Sequence, residues 1–219
     1  MDKLDISIKV ISHIGSLSIQ DSTLNQLASF SKQLQPLQQL QQIQAINMAL
    51  LPPPRIVIAS HNEEGKSVFS RDTEAPLFGP FGPNSGQFTT LFTTDSEPAS
   101  NTAELPSLIT TTIPRPGPKG SYFGTSDMPP GAESPFHRTV TVDYMVVLKG
   151  EIVARLDDGV EKTIKEGEMM VQMGTIHSWL NKSDKWCRML FVMLPAEKVV
   201  MKDGKVLEEA FFPVKHAGV

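Results

Sequence analysis

Two histidines and one aspartate in the second half of the sequence have the residue types of a metal site. His137 and Asp143 lie six positions apart, and His177 follows further along the chain. Two imidazoles with one carboxylate form the ligand set of non-haem iron sites, although ligand type alone leaves Mn, Zn and Ni open. We predict a divalent metal ion held by His137, Asp143 and His177. The alternative role for Asp143 is that of a general base.

The local spacing sets a geometric condition on this site. In a β-strand, side chains alternate between faces, so His137, Thr139, Thr141 and Asp143 share one face, as do His177, Trp179 and Asn181 in the second segment. A straight strand from His137 to Asp143 would span about 20 Å at about 3.3 Å per residue, too far for one ion. Ligation by both therefore requires a bend or bulge. Thr139 is predicted either to pack or to bind a metal-bound water, and it forms the catalytic set together with Asp143.

The elements that must position these residues are predicted to be β-strands. From Pro52 onward, short runs rich in β-branched and aromatic residues alternate with Gly and Pro clusters, and helical periodicity is absent. Asp157-Asp158-Gly159 has the composition of a hairpin turn. Short strands at such spacing predict an all-β antiparallel sandwich or barrel. The predicted strands cover residues 55–59, 88–94, 108–113, 121–125, 136–148, 151–156, 160–164, 168–172, 176–180 and 186–194.

The first 50 residues differ in composition from the rest of the chain. They hold nine of the eleven glutamines and six charged residues. Apolar residues recur there every three to four positions, which favours an amphipathic helix with Thr23 and Gln26 as a capping box, but Pro36 would break or kink it. Two alternatives stay open, a docked helix or helix pair and a loosely ordered arm. The predicted organisation is an N-terminal extension (1–50), leading strands and loops packed on the barrel (51–118), and a barrel core (119–219).

Composition also excludes several functional classes. The chain of 219 residues has a net charge of −4 and no long basic run, so nucleic acid is not an expected partner. Apolar stretches such as 189–194 are far shorter than the roughly 20 residues of a membrane span. The N-terminus lacks the apolar core of a secretory signal, so a cytoplasmic location is expected. The single cysteine, Cys187, excludes an internal disulfide and is expected to pack in the core.

Two segments resemble the paired motifs of the cupin superfamily. Its first motif runs Gly, five residues, His-x-His, three or four residues, Glu, six residues, Gly, and its second ends in Gly, two residues, His, three residues, Asn. The matching positions here are Gly131, His137, Thr139, Asp143 and Gly150, then Gly174, His177 and Asn181. The resemblance implies a cupin (double-stranded β-helix, or jelly-roll) barrel in which His137 and His177 are metal ligands.

This chain also departs from the cupin pattern. Thr139 stands where the family has its second histidine, Asp143 stands where it has glutamate, and the second motif has one interval a residue short and lacks its proline. A four-ligand site is therefore lost. The alternatives are a site of two histidines and one aspartate, or a cupin that binds metal weakly or not at all.

A closer resemblance concerns function. Residues 51–69, 137–159 and 171–200 are similar to single-domain fungal cupins of polyketide gene clusters, including cupin-domain oxidoreductases of salicylaldehyde pathways. This implies a metal-dependent oxidoreductase that acts on an apolar or phenolic intermediate of secondary metabolism, with short-chain dehydrogenases and a polyketide synthase as pathway partners, and a homodimer. The alternatives are a non-redox isomerase, dehydratase or decarboxylase, and a non-catalytic small-molecule binding cupin.

Four further residues are candidates for a substrate pocket. Tyr122 and Trp179 are expected in its wall, since aromatic side chains line apolar sites as readily as a core. Gln172 and Arg188 are candidates for orienting a carbonyl or phenolate oxygen. Asn181 is expected to hydrogen-bond a turn. For Asp143, the competing interpretations are that it fixes a barrel turn or forms a salt bridge to Arg138, Arg155 or Arg188.

Overall fold

The computed structural model describes residues 34, 36, 50–82 and 85–212. The chain divides into two units, Met1–Ile46 and Asn47–Val219. In the first unit only Leu34 and Pro36 are described, both helical and exposed. The two alternatives for the glutamine-rich extension otherwise lie outside the described residues.

Within residues 50–82 and 85–212 the backbone forms fourteen strands and no helix. The strands are β1 (Arg55–His61), β2 (Ser67–Glu74), β3 (Gln87–Thr93), β4 (Tyr122–Met128), β5 (Phe136–Arg138), β6 (Thr141–Lys149), β7 (Glu151–Leu156), β8 (Glu161–Lys165), β9 (Met169–Met173), β10 (His177–Leu180), β11 (Cys187–Pro195), β12 (Val199–Val200), β13 (Val206–Leu207) and β14 (Ala210–Phe212).

Ten of these strands build two antiparallel sheets. The first sheet has the order β14-β5-β10-β7-β8 and the second the order β3-β4-β11-β6-β9. A core of buried side chains from both sheets lies between them, which confirms the all-β jelly-roll prediction. The core consists of Met128, Met145, Val147, Ile152, Ala154, Ile164, Cys187 and Met189. The pairs β1-β2 and β12-β13 form separate small sheets.

The bend that the metal site requires lies between β5 and β6. The sequence predicts one strand over residues 136–148, but β5 ends at Arg138 and β6 begins at Thr141, and the two strands belong to different sheets. At this corner the Thr141 hydroxyl donates to Thr139 Oγ1 over 2.6 Å. His137 and Asp143 therefore extend from opposite sheets toward the interior, instead of along one straight strand.

The described residues correct the strand predictions in two further respects. Residues 108–113 form no strand; there the Thr110 hydroxyl, rather than a backbone carbonyl, accepts the N–H of Thr90 at 3.1 Å. The strands β2 and β12–β14 have no counterpart in the prediction because they are polar or very short. The strand β3 pairs with β4, so the second sheet includes a segment that precedes residue 119.

The predicted turn at Asp157-Asp158-Gly159 is confirmed as the connection between β7 and β8. Gly159 has φ +83°, a conformation that glycine adopts without steric cost. Asp158 Oδ1 accepts the N–H of Val160 at 3.1 Å, and the N–H of Gly159 donates to Leu156 at 3.0 Å. A search of the described residues for a helix with the length and apolar character of a membrane span found none.

Candidate metal and ligand site

His137 and His177 face each other on neighbouring strands of the first sheet. They are register partners of the β5-β10 pair, with ring centroids 4.3 Å apart and ring planes tilted by 55°. The strand β10 is the middle strand of its sheet, and His177 is 3% exposed. The corner after β5 and the turn before β10 thus bring together two residues separated by 40 positions in the sequence.

Both imidazoles are oriented by backbone carbonyls. His137 Nδ1 lies 2.9 Å from the carbonyl oxygen of Pro135, and His177 Nδ1 lies 3.0 Å from that of Thr175. A carbonyl oxygen only accepts hydrogen bonds, so each Nδ1 carries the proton and each Nε2 keeps its lone pair. This is the arrangement that fixes the tautomer and ring orientation of metal-binding histidines.

Burial keeps both imidazoles neutral. It lowers the pKa of His177 to about 4, and the nearby His137 contributes in the same direction, against the hydrogen bond to Thr175. Burial also lowers the pKa of His137, opposed by the bond to Pro135 and reinforced by the charge of Arg115. Neutral imidazole is the form that ligates a metal ion.

Asp143 extends from β6 into the same cavity as the two histidines. Its Oδ1 is buried and has no hydrogen-bond partner among the described residues. Burial raises the pKa of this carboxyl group, while the hydroxyl of Thr141, the charge of Arg115 and the hydroxyl of Thr139 lower it. An unpaired buried carboxylate oxygen is a group that a cation or a ligand hydroxyl would satisfy.

The alternative of a salt bridge from Asp143 is not realised with any of the three arginines considered. Arg138 donates to the backbone of Gly174 and Glu208, Arg155 pairs with Glu133 and Glu161, and Arg188 pairs with Asp127.

The donor set fits a divalent metal ion in part. Two neutral imidazole nitrogens face one cavity that also holds an unpaired carboxylate oxygen. In residues 50–82 and 85–212, however, no three or more His, Cys, Asp or Glu side chains come together as a metal-binding group. His137 and His177 are thus the two candidate ligands that the structure places side by side, and ligation by Asp143 stays a prediction.

The cavity between the sheets has a volume of about 160 Å³ and is mostly apolar. An engineered apolar cavity of about 150 Å³ binds benzene, so this space is large enough for one substituted aromatic ring. Its lining combines aromatic and methionine side chains with few polar groups. The lining residues are Phe81, Phe88, Ile113, Pro114, Arg115, Ser126, Met128, Ser134, Pro135, His137, Thr139, Asp143, Met145, Gln172, His177, Trp179, Met189, Phe191, Met193 and Phe211.

Three other predicted site residues line this cavity. Thr139 is buried at the corner between the sheets, and Trp179 contacts His177 edge-on with ring centroids 5.4 Å apart. Gln172 on β9 is the register partner of Asp143 and is 3% exposed. Its Oε1 accepts the hydroxyl hydrogen of Thr175, whereas its Nε2 has no partner within the described part of the chain.

Two predicted pocket residues lie elsewhere. Tyr122 does not line the cavity; it stacks on Phe191 with ring centroids 5.7 Å apart, and its hydroxyl bonds Thr90 at 2.8 Å. Arg188 is also outside the lining, because its guanidinium binds both carboxylate oxygens of Asp127 at 2.7 and 2.5 Å. Arg188 alternates away from the cavity along β11, whereas Tyr122 lies on the same face of β4 as the lining residues Ser126 and Met128 but packs behind Phe191.

Asn181 and Cys187 are placed as the sequence predicts. The Asn181 amide donates to the carbonyls of Met128 at 2.9 Å and Lys185 at 2.7 Å, and its Oδ1 accepts from Ser183, which closes the turn after β10. Cys187 is a free, fully buried thiol whose pKa is raised to about 12, mainly by burial.

Arg115 is the cavity residue that sequence reasoning missed. It lies in a Pro-rich segment between the predicted strands 108–113 and 121–125, and Ile113, Pro114 and Arg115 all line the cavity. Its Nε donates to Glu209 Oε1 at 3.0 Å, next to the cavity residue Phe211. A single arginine among prolines has no periodicity that would have placed it there.

Comparison with known proteins gives consistent matches. The sequence profile of the cupin domain matches residues 124–193. Phomopsin biosynthesis cluster protein C' of Diaporthe leptostromiformis is 36% identical over 160 residues, 70% of this chain and 84% of that protein. Oryzines biosynthesis cluster protein J of Aspergillus oryzae is 33% identical, covering 73% and 92%. A cupin-domain-containing oxidoreductase of Aspergillus ruber is 33% identical, covering 69% and 76%.

Proposed function

Because this chain belongs to the cupin family, with relatives from fungal biosynthesis clusters, we propose that it is a metal-dependent oxidoreductase of secondary metabolism acting on a small apolar or phenolic substrate. The carrying observation is the pair of neutral imidazoles, His137 and His177, each with Nδ1 held by a carbonyl and Nε2 available to the cavity. The oxidoreductase names of several relatives support the reaction class.

His137 and His177 would hold the divalent ion, with Asp143 as the proposed third ligand. The bound metal would supply Lewis-acid or redox chemistry at the substrate oxygen. The chain itself contributes a largely apolar space, in which Trp179, Phe191 and the methionines would contact the substrate body. Gln172 presents an unpaired amide hydrogen that would orient a substrate oxygen, and Thr139 lies close enough to the carboxyl of Asp143 to hydrogen-bond it.

The test is metal analysis of the purified full-length chain together with His137→Ala and His177→Ala. We expect about one equivalent of metal in the parent protein and its loss in both variants, with circular dichroism and melting temperature retained. The matched control is His61→Ala, since His61 is exposed on β1 and remote from the cavity lining. The proposal would be contradicted if both cavity variants retained the metal, or if the parent protein bound no metal after reconstitution.

A second candidate function is non-redox proton transfer with Asp143 as the base. The specific observation is its buried, unpaired Oδ1 together with the upward shift of its pKa, a direction that makes the carboxylate a stronger base. Turnover measured in the absence of oxygen distinguishes proton transfer from the oxidoreductase reaction. Activity that persists without oxygen or nicotinamide and is lost in Asp143→Asn favours isomerisation or dehydration, whereas strict dependence on an oxidant favours the oxidoreductase.

A further inference from the structure

Arg115 carries the only fixed positive charge among the described residues that line the cavity. The lining contains no lysine and no other arginine. The Arg115 side chain reaches the lining together with its neighbours Ile113 and Pro114. Among the fixed charges of the lining, an anion that enters this space would therefore meet one cation, Arg115, and one carboxyl group, Asp143.

The guanidinium of Arg115 is only partly engaged. Its Nε donates to Glu209 and its Nη1 donates to the carbonyl of Pro114 at 2.8 Å, while no hydrogen bond from Nη2 to a described residue is observed. Arginine has five N–H donors in a planar fork suited to a carboxylate. Donors thus stay available for a second acceptor on the cavity side.

The existing ion pair is of the kind that a ligand can replace. The side chains of Arg115 and Glu209 are 40% and 58% exposed. Exposed pairs contribute little because water competes for both charges. A ligand anion held in the apolar cavity is screened less, so its attraction to the same guanidinium is stronger.

We infer that the cavity binds an aromatic-sized apolar molecule bearing one anionic oxygen group, a carboxylate or an ionised phenol, and that Arg115 is the residue that selects for this charge. This inference rests on the proposed function only in using the same cavity. The apolar lining would contact the ring, and the volume of about 160 Å³ is large enough for one substituted ring.

Calorimetric titration of the full-length chain with benzoate, and with neutral benzyl alcohol of similar size, tests the inference. We expect benzoate to bind more tightly than benzyl alcohol. Arg115→Gln should weaken benzoate by at least about tenfold, the usual effect of losing a hydrogen bond to a charged group, and leave benzyl alcohol within about twofold. Arg55→Gln is the matched control, since Arg55 pairs with Asp72 on the exposed β1-β2 hairpin.

One further variant and one further titration distinguish between the possible outcomes. Arg115→Lys retains the charge and should preserve the preference for benzoate, which covers a failure of Arg115→Gln to fold. Titration of the chelator-treated chain with benzoate shows whether the anion binds to Arg115 or to a bound metal ion. Elemental analysis of the protein before and after chelation tests the proposed metal site independently. Absent binding, equal affinity for both probes, or benzoate affinity unchanged in Arg115→Gln would overturn the inference.

Discussion

His137 and His177 are register partners on β5 and β10, with their imidazole centroids 4.3 Å apart and each Nδ1 bonded to the carbonyl two residues before it. The repeated i to i−2 contact means that both strands present their histidine in the same local geometry. Two ring nitrogens are therefore pre-oriented toward one cavity without the aid of a side-chain carboxylate.

We expect Gln172 to contribute to ligand binding but not to the stability of the folded chain. Its buried Nε2 is unpaired, and an unsatisfied buried polar group costs about 1–3 kcal/mol. Gln172→Leu should therefore raise the free energy of unfolding by roughly 1 kcal/mol while weakening ligand binding. Asn181→Leu is the control, because the Asn181 amide is fully bonded and its loss should destabilise the chain. Urea titration measures both, and a destabilised Gln172→Leu would contradict this account.

Replacing Glu209 by glutamine should strengthen anion binding. The change removes the charge that competes for Arg115 but keeps an oxygen that accepts from its Nε. Since exposed ion pairs are worth at most about 1 kcal/mol, we expect benzoate to bind about two- to fivefold more tightly and benzyl alcohol to be unaffected. Calorimetry of the two ligands checks this. Unchanged or weaker benzoate binding would show that Glu209 does not compete.

Arg188 is predicted to stabilise the fold without contributing to ligand recognition. Its pair with Asp127 is largely buried, with side-chain exposures of 11% and 2%. Removing one partner of such a pair costs about 3–5 kcal/mol because the other charge stays buried. Arg188→Gln should lower the free energy of unfolding accordingly and leave benzoate affinity unchanged in the folded fraction. If Arg188→Gln lost benzoate affinity but kept the stability of the parent protein, Arg188 would instead have a role in ligand binding.

Cys187 should make the protein sensitive to alkali. Burial raises its folded pKa to about 12, above the value near 9 of an exposed thiol, so between these values the folded state binds more protons than the unfolded state. Stability is fully present below pH 9 and falls as the pH rises, by up to about 4 kcal/mol at pH 12. Cys187→Ala should flatten this slope in urea titrations between pH 8 and 11. Parallel curves for both proteins would refute the assignment.

Much of the fold follows from local patterns, because strand alternation and Gly-containing turns are encoded within a few residues. The same holds for His137, Asp143 and His177, whose spacing anticipates one shared cavity on condition of a bend. That bend is made between Arg138 and Thr141, where the chain changes sheet.

What the sequence could not supply depends on long-range packing. Arg115 reaches the cavity only because its loop folds over the barrel and pairs with Glu209, 94 positions later. Tyr122 and Arg188 have suitable chemistry but lie outside the cavity lining, since Tyr122 stacks on Phe191 and Arg188 pairs with Asp127, 61 positions earlier. No short-range pattern in the sequence indicates either of these placements.

The most direct test of the shared metal site is ¹⁵N NMR of the imidazoles during titration of the metal-free full-length chain with Zn²⁺. We predict that the Nε2 resonances of His137 and His177 shift together and saturate at one equivalent, while both Nδ1 nitrogens stay protonated. The two signals are assigned by their absence in His137→Ala and His177→Ala. A metal ion that shifts only one of the two, that engages Nδ1, or that leaves both unchanged at saturation would contradict a site shared by this pair.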